Sequence, residues 1–166
     1  MGQHAELLAG FDAALDHAWE SLETALAGLS PEEARYRPDG YEDAPQEPGW
    51  PLPGSALWHI VHLAECYHTY SEGIRSRPRA GGSGSGRAFV PASELTAAVS
   101  DLRRERATLR EVIAVLTESE LGDPLKSGRT VAELIRASIR HDAWHGGMIV
   151  MARRMWRASP STTIKM

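Results

Sequence analysis

Thr130-Val131-Ala132-Glu133-Leu134-Ile135-Arg136-Ala137-Ser138-Ile139-Arg140-His141-Asp142-Ala143-Trp144-His145 reads as the first half of a long amphipathic helix. Thr130 and Glu133 have the spacing of a capping box, in which hydroxyl and carboxylate satisfy backbone N–H groups of the first turn. The helix is predicted to run to about Trp156, where Arg153, Arg154 and Arg157 suit the negative end of its dipole. Its inward stripe is predicted as Leu134, Ser138, His141, His145, Met148, Ala152 and Met155. Two histidines four residues apart project from one helix face, so both can grip one metal ion. On a core-facing seam an imidazole must be hydrogen-bonded or metal-bound to offset its desolvation.

Three more helices follow from period and punctuation. Residues 3–28 carry Leu8, Phe11, Leu15, Ala18, Leu22, Ala25 and Leu29 at alternating three- and four-residue steps, one apolar stripe. Ser30-Pro31-Glu32-Glu33 then reads as a short capped turn. Residues 55–75 form the second long helix, with Ser55 as cap and a stripe through Trp58 or His59, His62, Glu65 or Cys66, and Thr69. Residues 92–117 form the third, with Leu95, Leu102, Leu109 and Leu116 seven apart and Arg103, Arg104, Glu105 and Arg106 mostly on its wet side. Four long helices with one apolar stripe each predict an all-α fold, a four-helix bundle, with residues 1–166 as a single domain.

Two connections stand out. Residues 37–53 hold five prolines and two glycines, a density that neither helix nor central strand survives. Long ordered loops are often functional, and Tyr41 and Trp50 could fold over a site. Residues 77–86 are rich in Gly and Ser and predict a flexible interhelix loop. The Gly-x-Ser-x-Gly run at Gly82 to Gly86 lacks the strand–turn–helix setting of a nucleophile elbow, and no phosphate-binding loop is present.

Composition narrows the classes. A net charge of −4 gives no electrostatic footprint for nucleic acid. The single Cys66 excludes an intrachain disulfide and fits a reducing compartment. No apolar run reaches the roughly 20 residues that span a bilayer. Residues 1–6 contain neither a signal core nor a myristoylation pattern. The expectation is a cytoplasmic, unanchored protein, and the abundance of Ala, Arg and Gly suggests a bacterial source.

The chemistry resides in the histidines. A third imidazole from the second helix, either His59 or His62, would complete three protein ligands and leave one coordination position open, as in catalytic rather than structural sites. The ordinary alternative is a set of satisfied core histidines. Here the residues resemble a known family. His141-Asp142-Ala143-Trp144-His145-Gly146-Gly147-Met148-Ile149, followed by Arg153-Arg154, resembles the last-helix motif of the DinB-like, or YfiT-like, superfamily. Ser55-Ala56-Leu57-Trp58-His59-Ile60-Val61-His62-Leu63-Ala64-Glu65 resembles its second-helix motif, whose ligand histidine precedes Leu-Ala and lies seven after a serine. The helix count and order match as well. The resemblance implies a four-helix bundle, often a homodimer, with three histidines binding Zn²⁺ or Ni²⁺. Carried over by position, the ligands are His62, His141 and His145, with His59 as the substitute for His62. Met148 stands where the family often has Gln, which removes any polar role from that position.

What the resemblance implies about activity is a metal-dependent enzyme acting on a small molecule. It would be either an S-transferase using a low-molecular-weight thiol such as bacillithiol or mycothiol, or a hydrolase. Three neutral imidazoles leave a cation its full charge, and zinc can bring bound water to a pKa of about 7. The catalytic carboxylate is left open. Glu65, three after His62, and Asp142, beside a ligand, are the candidates, each with a plain structural alternative. Cys66, four after His62, could approach the site, but a small buried hydrophobe is the commoner role. Gly146 and Gly147 cost about 1 kcal/mol each relative to Ala, for close helix packing or for substrate space beside His145. Trp58 and Trp144 pack or line a pocket. The rival class is a non-enzymatic dimeric helical module that binds a small molecule or partner.

Overall fold

The computed structural model describes residues 2–17, 21–78 and 84–159. Among them every regular element is helical: α1 (Gln3–Leu15), α2 (Leu22–Leu26), α3 (Pro31–Arg35), α4 (Ala56–Arg75), α5 (Leu95–Ala114) and α6 (Val131–Ala158), with a 3₁₀ turn at Glu118–Gly122. The four longer helices close a ring in the order α1, α5, α4, α6, each packed on two neighbours. Phe11, Ile60, Leu63, Tyr67, Leu102, Leu109, Ile113, Ile135 and Ile149 fill its centre. No helix among the described residues is long and apolar enough to cross a membrane.

The helix starts follow the sequence signals. Ser55 caps α4 by accepting from the Trp58 N–H, and Thr130 and Glu133 complete the capping box of α6. The turn at Ser30 and Glu33 forms its predicted box as well. The helix at 3–28 differs. α1 stops at Leu15, and a new helix opens at Leu22, because the Ser21 hydroxyl accepts from the Thr24 N–H and supplies its own cap. Leu22, Ala25 and Leu26 are still buried, so the apolar stripe continues across a break that periodicity does not detect. The third helix is shorter than expected at both ends. Thr117 does not extend α5 but caps the 3₁₀ turn with Glu120.

The inward faces are also turned slightly from the predicted ones. On α6 the buried seam runs through Leu134, Ile135, Ser138, Asp142, His145, Gly146, Ile149 and Ala152, with His141 and Met148 half-buried beside it. On α5, Glu105 and Arg106 are buried and only Arg103 and Arg104 face water. This corrects the reading of that cluster as mostly a solvated face: 105 and 106 lie three and four after Leu102, on its own side of the helix.

The proline-rich loop at 37–53 lies against the start of α4. The Tyr41 ring sits on Gly54, where a Cβ would come within 2.5 Å of the ring and where φ is +80°, so only glycine suits the position. Trp50 packs on Phe89 with ring centroids 6.3 Å apart. Of the expected flexible segment at 77–86, residues 79–83 lie outside the described ones.

Candidate metal centre

α4 and α6 bring four imidazoles together. His59 Nδ1 lies 2.8 Å from His145 Nδ1, and His145 Nε2 lies 2.9 Å from His141 Nε2. The His62 ring is centred 4.9 Å from His145 and 5.3 Å from His141. Trp58, one turn before His62, stacks flat on it at 4.9 Å and meets His59 edge-on. It thus lines the cluster. Trp144 is largely exposed.

The donor atoms of His62, Cys66 and His141 all lie within 4.8 Å of one another, a group able to hold a metal ion. Cys66 Sγ approaches His62 Nε2 to 3.6 Å. The sequence leaves this cysteine as a small hydrophobe that could approach the site; the structure sets its sulfur against His62 and within 4.8 Å of a His141 nitrogen. His62 and His59 take different positions. His62 faces Cys66 and His141, whereas His59 lies behind His145 with its Nδ1 turned to that ring. His68 belongs elsewhere, bonded to the Arg87 carbonyl at 2.7 Å and to Glu105 at 3.3 Å, and His4 bonds the Ile113 carbonyl at 2.8 Å.

The electrostatics keep the rings neutral. Burial, with His62 nearby, takes His59 down to about 4. Burial and the surrounding imidazoles take His145 down to about 3. Burial also lowers His62, with help from His141, and lowers His141 itself. Neutral imidazole is the metal-binding form. Each neutral ring has one N–H and one lone pair, so the His141–His145–His59 chain can satisfy its two internal contacts by choice of tautomer. The chain ends remain: His141 Nδ1 and His59 Nε2 are buried with no hydrogen-bond partner. Orphaned nitrogens, uncharged rings and a nearby sulfur fit a divalent cation of borderline softness.

Of the two candidate carboxylates, Glu65 lies at the cluster's edge, its Oε2 4.0 Å from His62 Nδ1. Burial raises its pKa, and Glu47 of the proline-rich loop raises it further. Asp142 is turned into the core. It accepts from the Tyr67 hydroxyl at 2.5 Å and from Arg106 at 3.2 Å, so both its oxygens are engaged away from the histidines. Burial pushes it up to about 6 against the pull of Arg106. Arg106 also donates to the Phe11 carbonyl and lies 4.0 Å over the Phe11 ring. Sequence reading missed this buried arginine and its tyrosine partner, although their helical spacing from Leu102 and Leu63 marked both as inward.

A cavity of about 440 Å³ lies across α6 from the imidazoles, lined by Leu22, Ala25, Gly146, Gly147, Met151 and Arg154 among others. A Cβ at Gly146 or Gly147 would meet nothing within 4 Å. The glycine pair therefore does not serve close helix packing, and the space it leaves opens away from His145, not beside it.

A model of the DinB superfamily matches residues 14–149, most of the chain and both histidine-bearing helices. The chain belongs to the DinB superfamily. No curated protein and no solved structure matches it.

Proposed function

We propose that this protein is a divalent-metal-dependent enzyme whose cation is held by His62, His141 and His145, and that it activates a low-molecular-weight thiol or a water molecule. What carries the reading is the approach of neutral imidazoles from α4 and α6 to one another, with His145 Nε2 standing 2.9 Å from His141 Nε2 and the His62 ring centred 4.9 Å from His145. A bound Zn²⁺ or Ni²⁺ would supply the positive charge that acidifies a thiol or water near neutral pH.

The chain's own groups have distinct tasks in this reading. His59 accepts from the Nδ1–H of His145, which fixes the tautomer that leaves His145 Nε2 with a free lone pair. Trp58 holds the His62 ring by stacking and shields that side of the cluster from water. Glu65, close to His62 and of raised pKa, is placed to orient that ring or to take a proton from an arriving substrate. Asp142 holds the helix rather than the reactant.

The test is elemental analysis of protein purified without chelator, followed by a thiol-transfer assay with small thiols and electrophilic acceptors. One divalent ion per chain is expected, lost in His141→Ala and His145→Ala. Transfer activity should disappear on chelation and return with metal. Full metal content in both variants would refute the ligand assignment, and chelation-insensitive activity would refute the mechanism.

A further inference from the structure

We propose that Cys66 is itself a ligand of the cation in the resting centre, where it joins His62, His141 and His145 as a sulfur donor in the fourth position and yields that position to an arriving thiol or water. The inference rests on the metal-centre reading above and adds to it a donor that the three-histidine pattern does not contain.

Three observations carry it. Cys66 follows His62 by four residues on α4, so both side chains leave the same face of the helix. Its sulfur lies 3.6 Å from His62 Nε2, and the donor atoms of these two residues and His141 are mutually within 4.8 Å. The third observation concerns its setting. A cysteine kept as a small hydrophobe has its sulfur among apolar atoms; this one is half-buried, unpaired and turned toward imidazole nitrogens, with the Tyr70 hydroxyl as a further polar neighbour.

The chemistry is a simple exchange. As the sulfur bonds to the cation, the thiol proton leaves to solvent, and the metal's charge replaces the proton's. A thiolate makes the donor set softer than imidazoles alone. The site should then prefer Zn²⁺ and Co²⁺ strongly over Mg²⁺, Mn²⁺ or Ca²⁺. The same environment, without a cation, keeps Cys66 a protonated thiol, since burial pushes it up to about 11.

Cobalt gives the readout. The full chain, freed of metal and titrated with Co²⁺, should take up one equivalent. It should show visible ligand-field bands together with a near-ultraviolet sulfur-to-cobalt charge-transfer band. Cys66→Ser and Cys66→Ala should still bind one Co²⁺ with the visible bands but lose the near-ultraviolet band, with unchanged far-ultraviolet dichroism as the folding control. Stoichiometric Co²⁺ in the native chain without that band, or a band that survives in both variants, overturns the cysteine ligand while leaving the histidine reading intact. Failure of the native chain to bind Co²⁺ or Zn²⁺ at all overturns both.

Discussion

Tyr67 and Asp142, the immediate neighbours of Cys66 and His141, are joined by a 2.5 Å hydrogen bond inside the core. The bond ties α4 to α6 one residue away from the donors on each helix. It therefore acts as a rivet for the register on which the whole centre depends. Removing the hydroxyl in Tyr67→Phe leaves a buried carboxylate short of a partner, at a cost of about 1–3 kcal/mol. For a chain of this size that lowers Tm by roughly 2–4 °C per kcal/mol. Thermal unfolding with parallel metal analysis checks it: stability should fall, and metal should bind more weakly but still at one per chain. An unchanged Tm would mean that the bond does not fasten the helices.

Arg106 is among the largest fully buried side chains of the described residues, and Asp142 is its ionic partner. Breaking a buried pair from one side leaves an uncompensated charge and typically costs about 3–5 kcal/mol. Arg106→Met should therefore be severely destabilised. Adding Asp142→Asn should restore part of the loss, because the charge left unpaired is then gone. A double-mutant cycle by urea unfolding measures this. Strict additivity of the two substitutions would show that the ion pair contributes nothing of its own.

His59 and His62 should separate in a metal-binding experiment. His62→Ala removes a ligand and should abolish stoichiometric binding. His59→Ala removes only the ring that orients His145 and should weaken affinity by about 10–100-fold with stoichiometry intact. Competition against a chromophoric chelator reads both. The reverse pattern would exchange their roles.

Glu105 provides a pH dependence remote from the histidine cluster. Burial disfavours its charge, but Arg87 at 2.5 Å and Arg104 at 3.1 Å outweigh this and hold the carboxyl below the ordinary range; His68 faces it at 3.3 Å. A carboxyl whose pKa is lower in the folded chain binds fewer protons there than in the unfolded one. Its stabilisation is present above the unfolded value near 4.5 and is lost as pH falls through the folded value. Urea unfolding from pH 6 down to pH 3 should show a shallower acid decline in Glu105→Gln than in the native chain. Parallel declines would remove Glu105 from the account.

Gly147 should be improvable. It is exposed, mid-helix and faces open space, so Gly147→Ala should stabilise the fold by about 1 kcal/mol with metal content unchanged. Gly54→Ala should do the opposite, since the Tyr41 ring already fills the place of its Cβ and its φ is positive. Tm measurements on the two variants should move in opposite directions.

The helices and most of their starts were legible because caps and apolar period are local signals. Ser55, Thr130 with Glu133, and Ser30 with Glu33 marked where chains turn into helices before any packing was known. The break after Leu15 was hidden, because Leu22 and Ala25 keep the same face on both sides of it. The histidines could be singled out from spacing and from the family motifs at 55–65 and 141–149. Which of His59 and His62 faces His141 could not, since residues three apart share a helix face to within about 60° and only the neighbouring helix distinguishes them. Cys66 and Asp142 had the same difficulty in opposite senses. A shift of the inward seam by a fraction of a turn brings the sulfur to the imidazoles and takes the carboxylate to Arg106.

α6 carries imidazoles on one side and the glycine-floored hollow on the other, so a single rod separates a cluster of donors from an open recess. Changes that reshape the hollow leave the donors' own side chains untouched. Such a partition lets the recess be reshaped by substitution while the donors are held constant, without a second domain to house it.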